Sequence, residues 1–239
     1  MLNKKETKDI QSLGHKKYRD ESKLFIAEGP KLIQELLTSV PAQIVKIYAL
    51  KEWEEANQHK VHQTTIISEQ ELQRISQLHT PNQVLALLNY FPVVQPSPGL
   101  FTLYLDTIQD PGNLGTIIRI ADWFNIKQIV CSKGCADLYN SKVVQSSMGS
   151  IARVNVYYDE GSWLADQKDI IYAATLNGAP LHEVGRTMTG VLLIGNESKG
   201  VSEELLQLAD KQITISRKGK AESLNAAVAT GIILSHILA

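Results

Sequence analysis

Three polar segments of this 239-residue chain contain glycine and carry side chains able to bind and orient a ligand. They span residues 110–119, 195–200 and 217–225. In the last segment, a basic loop leads into Ser223-Leu224-Asn225, and the apolar sequence that follows predicts a buried helix over Ala226–Leu238. Small polar side chains at the start of a helix suit a bound anion or an oriented hydroxyl group. Ser223 could equally be the N-terminal cap of that helix, with Asn225 just inside it.

The first segment brings an asparagine and an arginine close to a predicted turn. Asp-Pro-Gly-Asn, ending at Asn113, is typical of a turn, and the helix predicted over Thr116–Phe124 would carry Arg119 in its first turn. The two side chains could reach one ligand only if Asn113 lies in the turn and not on the helix. Alternatively, Arg119 is a helix-surface residue that pairs with Asp122. The segment lacks the Gly-x-Gly opening of the dinucleotide-binding fingerprint.

The second segment, Gly195-Asn-Glu-Ser-Lys-Gly200, invites comparison with a phosphate-binding loop because it contains Gly-x-x-x-x-Gly. The next two residues are Val201 and Ser202, so the lysine that clamps phosphate is missing and triphosphate hydrolysis is disfavoured. The segment could bring backbone amides and carbonyls close to a ligand, or it could be only a turn from strand to helix.

Short apolar strands alternate with helical patterns in residues 101–239, which predicts a mainly parallel sheet covered on both faces. In such sheets, ligands bind at the loops that leave the carboxyl ends of the strands. Each polar segment follows a predicted strand, so the three could converge on one site. The predicted strands are Phe101–Leu105, Gln128–Cys131, Ile170–Ala174, Val191–Ile194 and Gln212–Ile215, and a further helix is predicted over Ser202–Leu208.

The first half of the chain predicts a separate, small α/β domain. Three prolines and a glycine within Phe91–Gly99 disfavour both helix and central strand, so we expect domains at 1–91 and 100–239 joined by a linker at 92–99. A polar N-terminal segment carries several lysines around Tyr18, and it could be a solvated helix face or could contact phosphate groups. The predicted elements are strands at Leu24–Ala27, Ile44–Leu50, Thr64–Ile67 and Val84–Leu88, a helix at Pro30–Leu37, and a helix opened by a capping box at Ser68.

Composition and charge describe an ordinary globular protein. The formal net charge is −1, so no basic field over the whole surface indicates nucleic acid, although a local basic stripe would suffice. The N-terminus lacks the apolar core of a signal peptide, and polar residues interrupt the apolar C-terminal stretch, so we expect a cytoplasmic protein outside the membrane. Cys131 and Cys135 lack further ligands at a suitable spacing, and His59-x-x-His62 lies in polar sequence, so we expect reduced cysteines and no metal site.

Taken together, the three segments resemble the motifs of a known family. Asn113-x5-Arg119, then Gly195-x-Glu197-x-x-Gly200, then Ser223-Leu224-Asn225 are similar in order and spacing to those of the SpoU/TrmH family. Its members are S-adenosylmethionine-dependent RNA ribose 2′-O-methyltransferases of the SPOUT class. Residues 101–239 resemble the catalytic domain of that family, and the first half resembles the substrate-binding domain often fused ahead of it.

The resemblance implies an α/β fold of the SPOUT type, with a mainly parallel sheet, a C-terminal trefoil knot and a preceding substrate-binding domain. It implies a homodimer with the site at the subunit interface, S-adenosylmethionine as cofactor and RNA as partner. The implied catalytic residues are Asn113, Arg119, Ser223 and Asn225. The implied cofactor-binding residues are Gly195, Glu197, Gly200, Ile215 and Leu224. We expect RNA to contact Lys16, Lys17, Arg19, Arg217, Lys218 and Lys220.

Two residues depart from the family pattern, and both concern RNA binding. Asn125 stands where the family usually has glycine, and Gln145 stands where many members have arginine. The catalytic residues are unaffected, so these changes bear on the identity of the target. The fused N-terminal domain resembles enzymes of ribosomal RNA more than those of transfer RNA.

Methyl transfer to a ribose hydroxyl needs no metal, because the sulfonium of the cofactor is already an activated electrophile. The protein must align oxygen, methyl carbon and sulfur, and must handle the hydroxyl proton. Arginine keeps its own proton at neutral pH, so we assign Arg119 to clamp a phosphate and polarise the hydroxyl. The main alternative is a non-catalytic RNA-binding or ribosome-assembly protein on the same scaffold. Base methylation is disfavoured by the Ser-Leu-Asn motif, and nicotinamide chemistry by the missing fingerprint.

Overall fold

The structure is a computed structural model that describes residues 2–57 and 64–238. His59 and His62 lie outside these residues. The chain divides into two compact units. The first contains Met1–Pro92 together with Asp137–Ala152, and the second contains Val93–Ala136 and Arg153–Ala239.

Helices and strands alternate along the described residues. The helices are α1 Lys4–Ser12, α2 Lys16–Ser22, α3 Pro30–Ser39, α4 Lys51–Asn57, α5 Glu69–Ile75, α6 Pro111–Trp123, α7 Ser141–Ser147, α8 Glu203–Leu206 and α9 Ala226–Ile237. The strands are β1 Leu24–Glu28, β2 Ile44–Ala49, β3 Thr64–Ile66, β4 Val84–Asn89, β5 Thr102–Leu105, β6 Gln128–Cys131, β7 Asn155–Tyr158, β8 Ile171–Pro180, β9 Val191–Ile194 and β10 Lys211–Thr214.

In the first unit, the sheet has the strand order β1-β4-β2-β3, with β4 antiparallel to both neighbours and β2 parallel to β3. The small α/β domain predicted from the first half therefore has a mixed sheet. Ile10 and Leu13, at the end of α1, are buried against strand residues such as Leu85, so this polar N-terminal segment packs on the core with one face. Ser68 caps α5, and the side chain of Glu71 completes the predicted capping box.

The segment Asp137–Ala152 belongs to the first unit although the sequence places it far from the rest of that unit. The ring of Tyr139 stacks on Tyr90 with centroids 3.7 Å apart and lies 4.8 Å from the ring of Phe25. Its hydroxyl accepts a hydrogen bond of 2.8 Å from the N–H of Phe91. A linker recognised by composition cannot indicate this return of the chain, because the return depends on contacts between residues distant in sequence.

The expectation that Arg19 contacts RNA does not agree with its surroundings. Its side chain is 4% exposed, donates to the carbonyl oxygens of Leu13 and Gly14, and pairs with Asp137 at 2.5 Å. A guanidinium enclosed in this way holds protein segments together and cannot reach a phosphate. We therefore remove Arg19 from the predicted RNA-binding residues. Its buried position arises because α2 packs on the unit, which the lysine-rich sequence around it does not reveal.

In the second unit, six strands form a sheet in the order β10-β8-β9-β5-β6-β7, and every neighbouring pair is parallel. This confirms the mainly parallel sheet predicted from the alternation of strands and helices. All residues of β5, β6 and β9 are buried, as is typical of strands with both faces covered. Helices α6 and α9 pack together, with Ile120 close to Gly231.

Several bounds differ from the sequence prediction. Strand β7 was not predicted, because each of its residues is only half-buried and its apolar pattern is weak. Helix α6 begins at Pro111 and not at Thr116, because Asp110 caps it and proline suits the first turn. Helix α8 is a single turn. None of the helices in the described residues is both long and apolar enough to cross a membrane.

Candidate active site

The three polar segments follow β5, β9 and β10, and they meet at the carboxyl ends of the parallel strands in the second unit. Asn113 donates from Nδ2 to Oε1 of Glu197 at 2.6 Å. Asn225 donates from Nδ2 to Oδ1 of Asn113 at 2.8 Å. One residue from each segment therefore takes part in a single hydrogen-bonded chain that runs from Asn225 through Asn113 to Glu197.

The direction of this chain is fixed by the cap of α9. Oδ1 of Asn225 accepts hydrogen bonds from the N–H groups of Ala227 at 3.0 Å and Val228 at 3.2 Å. That amide must therefore present its Nδ2 to Asn113, whose oxygen accepts and whose own Nδ2 then faces the carboxylate of Glu197. Because a carboxylate only accepts, the chain ends there. Both asparagine amides are thus held in one orientation.

Asn225, and not Ser223, is the N-terminal cap of α9. The expectation that Ser223 caps the helix with Asn225 just inside it is wrong. The helix begins at Ala226, and the two residues before Asn225 lie in irregular, exposed backbone. An asparagine caps a helix as well as a serine does, so residue type alone could not distinguish the two positions.

Asn113 lies on the first turn of α6, and its own N–H donates to Oδ1 of Asp110 at 2.9 Å. The condition that Asn113 lie in a turn outside the helix is therefore not met. At six residues' separation on an α-helix, Arg119 lies about 9 Å further along the axis and about 120° around it. The two side chains consequently point to different faces of α6.

Arg119 is exposed and makes no hydrogen bond or ion pair with any residue that the structure describes. Asp122, its expected partner, instead pairs with Arg153 at 2.7 Å. The alternative in which Arg119 forms a surface ion pair with Asp122 is therefore wrong. Its guanidinium, with five N–H donors, is available to an anionic ligand.

The second segment closes tightly on itself. Asn196 and Gly200 exchange backbone hydrogen bonds of 3.0 and 2.8 Å. A Cβ atom at Gly195 would lie 2.1 Å from the backbone of Gly200 and Val201, so only glycine fits. Gly200 has φ of 72°, which also favours glycine. The loop thus brings bare backbone next to Glu197.

The remaining residues of the predicted cofactor site lie in loops after β10. Ile215 is half-buried, whereas Ser223 and Leu224 are exposed. Within the described residues, no backbone hydrogen bond engages Ile215, Ser223 or Leu224. Their N–H and C=O groups are therefore open to a ligand, as backbone recognition of a cofactor requires.

Two further side chains at this edge, missed by sequence reasoning, tie the segments together. Asp106, directly after β5, accepts a hydrogen bond of 2.8 Å from the N–H of Ser202. Asn196 donates from Nδ2 to the carbonyl oxygen of Thr107 at 2.8 Å. Their position immediately after buried strands is the one signal in the sequence that could have indicated them.

The basic residues predicted to contact RNA are mostly exposed. Lys16 pairs with Asp20 at 2.5 Å, and the ammonium group of Lys17 lies 6.0 Å from the ring centre of Tyr18. Arg217, Lys218 and Lys220 are exposed in the loop after β10. Both cysteines are free thiols. No group of three potential metal ligands occurs among residues 2–57 and 64–238.

Comparison with known proteins identifies a family for each half of the chain. Residues 100–235 match the model of the SpoU rRNA Methylase family, and residues 4–86 match that of the MRM3-like substrate binding domain. A relative from Bacillus subtilis, named 23S rRNA (guanosine(2553)-2′-O)-methyltransferase RlmP, is 33% identical over 238 residues, which cover 96% of this chain and 94% of the relative.

Solved structures resemble the whole chain. A protein from Porphyromonas gingivalis, assigned to the TrmH family of RNA methyltransferases, has a TM-score of 0.88 and 33% identity and covers 100% of this chain and 98% of its own. An AdoMet-bound rRNA methyltransferase from Sinorhizobium meliloti has a TM-score of 0.83 and 29% identity, with coverage of 99% and 95%. The family model covers more than half of the chain and the Bacillus subtilis relative matches nearly all of it, so the chain belongs to the SpoU rRNA methylase family.

Proposed function

We propose that this protein transfers a methyl group from S-adenosylmethionine to a ribose 2′-hydroxyl of ribosomal RNA. The observation that carries the proposal is the hydrogen-bonded chain Asn225–Asn113–Glu197, which joins the three polar segments. Arg119 lies on the same helix as Asn113, on a different face, and lacks a partner among the described residues. The name of the Bacillus subtilis relative supports 23S rRNA, and the guanosine in that name is the first nucleotide to examine.

The amide chain would position the substrate. Each asparagine Nδ2 has one hydrogen committed within the chain, and its second hydrogen remains available to a ribose or phosphate oxygen. Because the cap of α9 and the Glu197 carboxylate fix both amides, these donors are oriented before RNA arrives. Preorganised donors of this kind lower the cost of aligning the reacting atoms.

Arg119 would clamp a phosphate next to the target ribose and polarise the 2′-hydroxyl. It carries a permanent positive charge, and its exposed position on α6 suits a ligand as large as RNA. We assign Ser223 to orient the ribose or the carboxylate of the cofactor, since its hydroxyl can both donate and accept.

The residues around the second polar segment, residues 195–200, which we call the glycine loop, fit S-adenosylmethionine. Gly195 lets the loop close on itself, Gly200 has open space where a Cβ atom would lie, and the open backbone groups of Ile215 and Leu224 can pair with the polar atoms of the cofactor. Glu197 would support the loop through its bond to Asn113. When bound, the cofactor supplies an activated methyl group, so the chain's own residues need only bind and orient the reactants, exclude bulk water and let the 2′-hydroxyl proton leave to an RNA phosphate or to water.

RNA would contact exposed basic residues of both units. Lys16 and Lys17 belong to the first unit, and Arg217, Lys218 and Lys220 belong to the second. We assign residues 1–91 to RNA binding and 100–239 to methyl transfer, joined by the linker at 92–99. The match of residues 4–86 to a substrate-binding domain supports this assignment. Phosphate contacts predict RNA binding that weakens steeply with salt concentration.

We also propose a homodimer that buries the exposed apolar surface of α6 and α9. Trp123 is 84% exposed, and Val228 and Ile232 are 50% and 40% exposed on the neighbouring helix. Exposed apolar side chains on two helices that pack together are suited to an interaction surface. Sedimentation of the purified protein would test the oligomeric state. The trefoil knot and the cytoplasmic location stay predictions.

Transfer of a labelled methyl group would test the proposed function. Purified protein, labelled S-adenosylmethionine and 23S rRNA should give labelled RNA with the label on a ribose. Arg119→Ala should abolish transfer while leaving cofactor affinity nearly intact. Transfer at normal turnover by that variant would contradict the role of Arg119. No transfer by the wild-type protein to any ribosomal RNA would favour the non-catalytic RNA-binding alternative.

A further inference from the structure

Thr107 adopts a backbone conformation that its residue type disfavours. Its φ is 57°, in the left-handed region, where a β-branched side chain is strained. Thr107 lies between β5 and the cap of α6, in the connection that leads to Asn113. Left-handed residues other than glycine persist only where their surroundings fix them, and they cluster at functional sites. The contacts around Thr107 therefore indicate what fixes it.

All three polar groups of Thr107 are hydrogen-bonded. Its N–H donates to Oγ of Ser132 at 2.9 Å, and its Oγ1 donates to Oδ1 of Asp106 at 2.9 Å. Its carbonyl oxygen accepts from Nδ2 of Asn196 at 2.8 Å. On the remaining side, a Cβ atom at Gly134 would lie 2.7 Å from its methyl group. A glycine at this position would adopt the same φ without strain but would lose the bond to Asp106.

Asp106 and Asn196 connect this turn to the glycine loop in both directions. Oδ2 of Asp106 accepts from the N–H of Ser202, beyond the end of the loop. Oδ1 of Asn196 accepts from the N–H groups of Ser198 at 3.0 Å and Lys199 at 3.2 Å, while its Nδ2 holds Thr107. Asp106 is thus a residue of the turn that accepts from the backbone after the loop, and Asn196 is a residue of the loop that donates to the backbone of the turn. Glu197 lies between these two hydrogen-bonded positions in the sequence.

We infer that Asp106 and Asn196 are positioning residues for methyl transfer. They form a two-sided clamp that fixes the distance between Glu197 on the loop and Asn113 on α6. That distance, in turn, keeps Nδ2 of Asn113 within hydrogen-bonding reach of the Glu197 carboxylate. The inference rests on the proposed function, because the amide chain matters for catalysis only if the protein transfers a methyl group.

Asn196→Asp removes one element of the clamp and leaves the rest of the loop intact. The aspartate keeps the oxygen that accepts from Ser198 and Lys199 but loses the donor to Thr107. Asn155→Asp is a matched control, because it removes a similar 2.8 Å bond from an asparagine Nδ2 to the carbonyl oxygen of Val94. Asn155 begins the edge strand β7, at the end opposite to the site.

The measurements are turnover at saturating cofactor, KM for RNA and the cofactor Kd by calorimetry. For Asn196→Asp we expect turnover to fall by about ten- to a hundredfold, with KM and Kd changed by less than about threefold. Asn155→Asp should match the wild-type protein. Thr107→Val should lower turnover in the same way, and Thr107→Ser, which keeps the hydroxyl group, should recover most of it.

Two results would overturn the inference while leaving the proposed function intact. One is wild-type turnover in Asn196→Asp. The other is a loss of cofactor affinity with turnover unchanged at saturation, since that would make Asn196 a support of the cofactor loop only. If the wild-type protein and Asn155→Asp both fail to transfer a methyl group, the proposed function and the inference fall together.

Discussion

The side-chain amide of Asn225 has two roles: it caps α9 and it donates a hydrogen bond to Asn113. A single substitution can separate these roles. Its oxygen caps α9 through Ala227 and Val228, whereas its nitrogen donates to Asn113 at 2.8 Å. Asn225→Asp keeps an oxygen for the cap and removes the donor. We therefore predict that Asn225→Asp folds as stably as the wild-type protein and yet loses methyl transfer.

The expected magnitudes follow from the two sets of contacts. Aspartate and asparagine are comparable caps, and a negative charge at a helix N-terminus adds a small stabilisation, so Tm should hardly change. Asn225→Ala loses the cap, which costs about 1 kcal/mol and corresponds to a fall in Tm of about 2–4 °C for a chain of this length. Turnover should fall in both variants.

The catalytic loss arises because the chain cannot be rebuilt around an aspartate. The new carboxylate would repel Oδ1 of Asn113. If the Asn113 amide rotated to donate to it, its oxygen would face the carboxylate of Glu197, where the structure has a 2.6 Å hydrogen bond. Only one of the two bonds can survive in either orientation. Misplaced groups of this kind lower turnover by about a hundredfold.

The assay compares Tm, cofactor Kd and single-turnover methyl transfer for Asn225→Asp and Asn225→Ala. Ser68→Ala is the control, because it removes a cap in the first unit, where Oγ of Ser68 accepts from the N–H of Glu71. Ser68→Ala should lower Tm by an amount similar to Asn225→Ala and leave turnover unchanged. Turnover of Asn225→Asp within about threefold of the wild-type value would refute the reasoning.

Three further substitutions test other parts of the structure. Gly195→Ala would place a Cβ atom 2.1 Å from the backbone of Gly200, so calorimetry should show cofactor affinity at least about tenfold weaker, whereas Gly185→Ala, with open space around it, should bind normally. Arg19→Ala would leave the carboxylate of Asp137 without its partner and should lower the free energy of unfolding by about 3–5 kcal/mol in urea, whereas Lys17→Ala, at an exposed site, should not. Burial raises the pKa of Glu28 in the folded state, because the buried site disfavours the charged carboxylate. The protonated carboxyl group therefore contributes stability that is fully present below the ordinary pKa of glutamate and is lost as pH rises through the higher pKa of the folded state. The change in Tm caused by Glu28→Gln should therefore be more favourable at neutral pH than in mild acid, and an equal change at both would contradict this assignment.

Much of the second unit could be predicted from the sequence because its strands are buried on both faces. Gln128–Cys131 and Val191–Ile194 are short apolar runs, and the structure has strands with the same bounds. Strand β7 escaped prediction because it lies at the sheet edge, where half-buried residues need no apolar pattern. The meeting of the three polar segments also followed from sequence, since the carboxyl ends of parallel strands lie along one edge of a sheet.

The details of the site could not be predicted because they depend on contacts between segments distant in sequence. Nothing near Ser223 and Asn225 determines which of them caps α9, since both residue types suit that position. The use of Asn225 as the cap is associated with its hydrogen bond to Asn113, which lies 112 residues earlier in the sequence. Arg19 illustrates the same limit, because its partner Asp137 lies in a segment 118 residues later.

Arg119 and the amide chain are supported by different parts of the molecule. The amides are fixed within the second unit, by the cap of α9 and by Glu197 on the glycine loop. Arg119 shares its face of α6 with Trp123, one turn further along, and neither the exposed indole nor the guanidinium is held by a described residue. A partner that covers Trp123 must therefore approach Arg119 as well. It follows that, under the proposed dimer, association would complete the surroundings of the arginine, whereas the cofactor loop is already built within one chain.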